Sequence, residues 1–178
     1  MKRTIGIALL VCLVGVVFYA SPASAREATI KLGGGVYFDE TLIGGNFQVD
    51  IPVAKEGKFN ISPFVDAYVS KSPFKVVGGG LNLLYKGQAG ESGKIYFGAG
   101  GGVGQVRFQG ESGTGAMANA VLGAEFAASE KISIFIQGRL LAVFGGEAKV
   151  SSGIFTQTLP LDARHFALEG GISFNVGN

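Results

Sequence analysis

Phe59-Asn60-Ile61-Ser62-Pro63-Phe64-Val65-Asp66-Ala67-Tyr68-Val69-Ser70 is the stretch that decides the fold. Phe59, Ile61, Pro63, Val65, Ala67 and Val69 share one parity. Asn60, Ser62, Phe64, Asp66, Tyr68 and Ser70 share the other. A period of two gives each set its own face of a β-strand. The same alternation recurs on both sides of this stretch. It predicts strands over roughly Thr29–Phe38, Ile43–Val53, Phe59–Ser70, Phe74–Tyr85, Ile95–Phe108, Met117–Ala127, Ile132–Phe144 and His165–Val176. Each is about ten residues or longer, the length a tilted strand needs to cross a bilayer. The expected fold is therefore all-β: an eight-stranded antiparallel up-and-down transmembrane β-barrel.

A leader precedes this pattern. Lys2 and Arg3 open it, an apolar run from Ile5 to Ala20 follows, and Ser21-Pro22-Ala23-Ser24-Ala25 supplies small residues for cleavage. Residues 1–25 thus read as a signal peptide cut after Ala25, and 26–178 as the barrel domain. Cys12, the only cysteine, lies in the leader, so the exported chain has no thiol or disulfide chemistry. Removing 25 of 178 residues leaves 153, with 13 basic residues (15 less Lys2 and Arg3) against 13 acidic ones. That balance offers no basic stripe for nucleic acid. No apolar run of helix-spanning length remains after the leader.

The alternation has two solutions: apolar face outward in lipid, or inward in a soluble barrel that holds an apolar ligand. The polar parity chooses between them. It carries Gly33, Gly35, Gly44, Asn46, Gln48, Gly78, Gly80, Asn82, Gly123, Gln137, Gly171 and Ser173. Such small side chains suit a crowded lumen better than a solvated exterior. The apolar parity bears no mid-strand charge, which at the bilayer midplane would cost about 2–4 kcal/mol.

Connections at Lys55–Lys58, Gly87–Gly93, Gly110–Gly115 and Ser129–Lys131 carry turn residues. An even strand number puts both termini on the periplasmic side, so the long connection Gly145–Ala163 faces outward. The glycine-rich fifth segment changes parity between Val103 and Val106, which predicts a bulge. The triple glycines at 33–35, 78–80 and 100–102 lack the following helix that a phosphate loop requires. They read instead as strands bent tightly around a small barrel.

This pattern, over all 153 residues after the leader, resembles the small OmpA/OmpX-like outer-membrane barrels of Gram-negative bacteria. The resemblance implies a porin-like fold in the cell envelope, a monomer among outer-membrane lipids, and recognition of the C-terminal strand by barrel-assembly machinery. Gly170-Gly171-Ile172-Ser173-Phe174-Asn175-Val176 is similar to that final strand, although the chain continues to Gly177-Asn178 where the family usually ends on an aromatic. With no Trp, an aromatic girdle must draw on Tyr37, Phe38, Tyr68, Phe74, Tyr85, Phe97, Phe108, Phe144 and Phe174.

Chemistry has one candidate anchor. His165 is the single histidine, and lipid A deacylases of this size place a serine two residues after theirs, where this chain has Ala167. Ser151 or Ser152 in the last connection could approach it, and Glu169 is close in sequence. The expectation is no catalytic site, no cofactor and no metal, with a lipid-modifying enzyme using His165 as the alternative. The lumen is expected to be plugged by charge. Arg139, Glu169 and Asp66 fall at similar depth, while Lys31, Asp50 and Glu125 form a second set nearer the periplasmic end. A charge in a narrow lumen needs a partner.

Overall fold

The computed structural model describes residues 28–38, 42–54, 57–70, 75–108, 111–145, 147–152, 155–160 and 163–176. The expected leader lies outside the described residues. Ten strands follow: β1 Ala28–Tyr37, β2 Leu42–Pro52, β3 Phe59–Val69, β4 Lys75–Ala89, β5 Gly93–Phe108, β6 Glu111–Ala127, β7 Ile132–Phe144, β8 Glu147–Ser152, β9 Phe155–Pro160 and β10 Ala163–Val176. Eight of them close a barrel in the order β1-β10-β7-β6-β5-β4-β3-β2, every pair antiparallel. β8 and β9 form a separate hairpin within the connection expected to be a long loop.

Closure fixes the tilt. Hydrogen-bonded partners lead from Tyr37 through Ala167, Arg139, Val121, Gly98, Leu84 and Asn60 to Pro52. Asp50 pairs with Thr29, so Pro52 is level with position 27, and 37 − 27 = 10 residues of stagger. In eight strands that stagger tilts each by about 40°. An 11-residue strand then rises about 28 Å, enough for an apolar band of about 25 Å.

Three expectations about the strands are corrected. β4 and β5 extend to Ala89 and Gly93, so their connection is a tight turn with Gly90 at φ 76°, not a long glycine-rich loop. β6 begins at Glu111, six residues before the expected Met117, and forms a hairpin with β5 from Phe108↔Glu111 onward. No bulge interrupts β5. Its pairing with both neighbours is continuous, Val103, Gln105 and Arg107 point outward, and Val106 points inward. The apparent parity change is a change of surroundings. Above the apolar belt the outward face turns polar while the lumen turns apolar.

The outward face is apolar on every barrel strand. Leu32, Ile43, Leu81, Phe97, Leu122, Ile134, Leu140 and Phe166 are all exposed. Aromatic pairs dress the belt near its ends: Phe38 stacks on Phe166, and Phe59 and Phe97 flank Tyr85. Tyr37, expected in the girdle, instead points inward and is buried; Tyr68, a girdle candidate that shares the lumen parity of Asn60 and Asp66, is buried in the lumen with them. Phe74 and the side chain of Phe108 lie outside the described residues.

Glycine sets the cross-section. A Cβ on Gly80 or Gly102 would run into the backbone of the adjoining strand, as would one on Gly35 or Gly171. These inward glycines, with Gly44 against Ala67, mark where neighbouring strands approach most closely, at β4–β5, at β10–β1 and at β2–β3.

Candidate functional site

The lumen is the candidate site, and its side chains form three layers. Nearest the chain termini lies a four-charge cluster. Lys31 on β1 places Nζ 3.1 Å from Asp50 Oδ2 on β2 and 2.6 Å from Glu125 Oε1 on β6. Lys86 on β4 places its Nζ 2.7 Å and 3.4 Å from the same two oxygens. Two cations thus face two carboxylates. Asp50 Oδ1 accepts from Gln48 Nε2 at 2.7 Å and from the Ser62 hydroxyl. The Lys31 ammonium also sits 3.6 Å from the centroid of the Tyr96 ring, a cation–π contact.

A second cluster occupies the middle layer. Arg139 on β7 crosses the lumen to donate from Nη1 to Asp66 Oδ2 on β3. Its Nη2 stands 3.3 Å from Glu169 Oε2 on β10, an ion pair without hydrogen-bond alignment. Glu169 is otherwise well served: Asn46 Nδ2 donates to it at 2.6 Å, and Tyr68 and Gln137 donate as well. Gln137 in turn accepts from the Tyr96 hydroxyl at 2.8 Å. Tyr96 lies over Gly123, where a Cβ would meet its ring, so the glycine lets a chain of donors run round the wall.

Toward the opposite end the lumen becomes apolar. Tyr37, Leu42, Tyr68, Val76, Val106, Met117, Leu141 and Val143 pack into one cluster above the charges. Among the described residues, side chains occupy the lumen in all three layers, and Arg139 is the largest fully buried one.

The six lumen residues singled out in the sequence divide into these two clusters as Lys31, Asp50 and Glu125 in one and Asp66, Arg139 and Glu169 in the other. Sequence reasoning missed Lys86 and Tyr96. Lys86 was lost because β4 was expected to end at Tyr85. Its even parity, shared with Asn82 and Leu84, was the available signal. Tyr96 shares the even parity of the glycines at 98, 100 and 102, which a diluted pattern concealed.

His165 also faces the lumen. It is 6% exposed, with its ring edge-on to Tyr37 at 5.7 Å between centroids. The residue two positions on, Ala167, is fully buried. The imidazole thus does not present itself to lipid on the outer surface. Among the described residues no group of three His, Cys, Asp or Glu side chains is arranged to hold a metal ion.

No family model and no curated protein matches the sequence. Solved structures do. The chain superposes on Neisserial surface protein A with a TM-score of 0.64, covering 88% of this chain and 100% of that one at 12% identity. For the N-terminal barrel domain of Pseudomonas aeruginosa OprF the TM-score is 0.56, over 86% and 100%, at 17% identity. For the outer membrane protein AlkL in DMPC bilayers it is 0.51, over 89% and 96%, at 14% identity. The chain has the fold of the small eight-stranded, OmpA-like outer-membrane barrels.

Proposed function

We propose that this chain is a non-catalytic outer-membrane barrel of a Gram-negative bacterium, with a role in envelope integrity or surface contact, and that it conducts no solutes. The observation that carries this reading is the filled lumen inside an apolar exterior. Two ion clusters and an apolar layer occupy the interior, while exposed Leu, Ile, Val and Phe surround the wall. A soluble barrel with this exterior would display apolar surface far beyond the few hundred Å² that monomers tolerate. The inward placement of His165 favours a packing role over a lipid-modifying one, because an acyl ester in the bilayer lies outside the wall.

The test combines three measurements on the exported protein. Membrane fractionation should recover it with the outer membrane, and unboiled and boiled samples should migrate differently on a gel. In planar bilayers the folded barrel should give no steady conductance. Recovery in the soluble periplasm would end the membrane reading. Stable open channels would end the plugged-lumen reading alone.

A further inference from the structure

The outward face of β4, β5 and β6 changes character above the apolar belt. Lys75 on β4 is paired directly with Arg107 on β5, and Arg107 in turn with Ser112 on β6. One row below, Val77 pairs with Gln105 and Gln105 with Thr114. Lys75, Gln105, Arg107, Ser112 and Thr114 are all exposed. Val77 on β4 and Val103 on β5 are the exposed apolar residues beneath them. This polar patch therefore stands at the rim of the belt, at the end remote from the termini.

Its two charges have the same sign and face each other. Like charges directly opposite one another destabilise a sheet. Among the described residues neither Lys75 nor Arg107 has an ion pair. Gln105, Ser112 and Thr114 beside them are neutral donors and acceptors. Arg164 on β10 is also exposed and also lacks a described carboxylate partner. It stands three strands round the wall from Arg107, and the residue paired with it on β7 is Ala142, not a second cation.

We propose that Lys75 and Arg107 clamp one phosphate monoester in the headgroup of an outer-leaflet lipid. Directly opposed residues hold their Cβ atoms about 5 Å apart, so both long side chains can reach a single phosphate. A phosphate monoester carries a charge of about −1.5 to −2 and three acceptor oxygens. That charge matches two cations and turns a repulsive pair into an attractive one. The arginine fork takes two oxygens through charge-assisted hydrogen bonds, and the lysine takes the third as a point charge. A phosphodiester headgroup carries a single charge and leaves one cation uncompensated. With the phosphate at the rim, the acyl chains of the lipid run down over the exposed Val77, Leu81 and Val103. The inference rests on the outer-membrane reading, which places this end at the cell surface.

The test is native mass spectrometry of the full exported protein in detergent micelles. It is titrated with phosphatidic acid, phosphatidylglycerol and phosphatidylethanolamine of identical acyl chains. Phosphatidic acid, the monoester, should bind about tenfold more tightly than either of the others, the worth of one charge-assisted hydrogen bond. Lys75→Gln and Arg107→Gln should each remove most of that preference, Lys75→Arg should keep it, and Arg164→Gln should leave it unchanged. Thermal unfolding gives a second reading. In lipid-free detergent Lys75→Gln should match or exceed the unaltered protein, because it relieves a repulsion; with phosphatidic acid added it should fall below. Equal binding of phosphatidic acid and phosphatidylglycerol by the unaltered protein overturns the proposal, and this comparison needs no variant to fold. A preference removed by Arg164→Gln and kept by Lys75→Gln overturns it as well. Displacement of phosphatidic acid by an equal concentration of inorganic phosphate overturns the lipid as occupant. Recovery of the chain in the soluble periplasm overturns the outer-membrane reading itself, whereas a heat-modifiable membrane barrel indifferent to the phosphate monoester overturns this inference alone.

Discussion

Replacing Arg139 by Leu should be among the most damaging single changes in the barrel, and its coupling to Asp66 should exceed its coupling to Glu169. Arg139 is fully buried and touches both carboxylates. Without it, two buried carboxylates remain with no cation in their layer. Breaking a buried ion pair in this way costs about 3–5 kcal/mol. The two partners are then left in different positions. Glu169 keeps three neutral donors from Asn46, Tyr68 and Gln137. Asp66 keeps none among the described residues, and its Oδ1 already lacks a partner. Asp66→Leu alone should be milder, about 1–3 kcal/mol, because Arg139 retains Glu169 and only a charge-assisted bond is lost. The double variant Arg139→Leu/Asp66→Leu should therefore fall short of the sum by about 2 kcal/mol, and the corresponding cycle with Glu169→Leu by about 1 kcal/mol. Urea unfolding in detergent micelles, followed by the mobility of unboiled samples, reads all five variants. Losses that add within about 0.5 kcal/mol for the Asp66 cycle would show that the two groups are not coupled, and the span from β7 to β3 would be wrong.

Other outcomes follow from the same geometry. Ile136→Arg, at mid-belt on β7, should cost about 2–4 kcal/mol in lipid, and Ile132→Arg, at the strand end, about 0–1; equal, negligible costs by the same unfolding assay would mean that the belt does not face lipid. Gly102→Ala should destabilise by about 1–3 kcal/mol because its Cβ would enter the backbone of Gly79 and Gly80. Gly104→Ala, whose nearest neighbour is the Val143 side chain at 3.6 Å, should be tolerated; a reversed order in thermal unfolding would refute the close approach of β4 and β5. Lys86→Met leaves Lys31 alone against Asp50 and Glu125, and should cost about 1–3 kcal/mol, less than for a fully buried cation because its ammonium lies toward the barrel end. Unaltered urea midpoints for Lys86→Met would remove it from the cluster.

Sequence alone determined the strand count of the barrel, which parity of each strand faces lipid, and that charged side chains enter the lumen. These are local properties: a side chain in a strand has only two directions, so parity read at Phe59–Ser70 transfers to every paired strand. It also brought Arg139, Asp66 and Glu169 to one depth, since rise per residue converts position into height. What only the closed barrel decided is which groups meet across the ring. Contact between β7 and β3 depends on stagger and on where strands approach most closely, and those are collective quantities fixed by closure and by inward glycines such as Gly35, Gly80, Gly102 and Gly171. The strand ends were illegible for a related reason. Beyond the belt, water replaces lipid outside and apolar packing replaces charge inside, so alternation inverts its meaning while the backbone runs on unchanged through Val103, Val106 and Arg107. The inward turn of Tyr37 lay in that zone, whereas Lys86 stood just past an expected strand end and Tyr96 beside the glycines at 98, 100 and 102. Only the tertiary structure showed which environment each of them had entered.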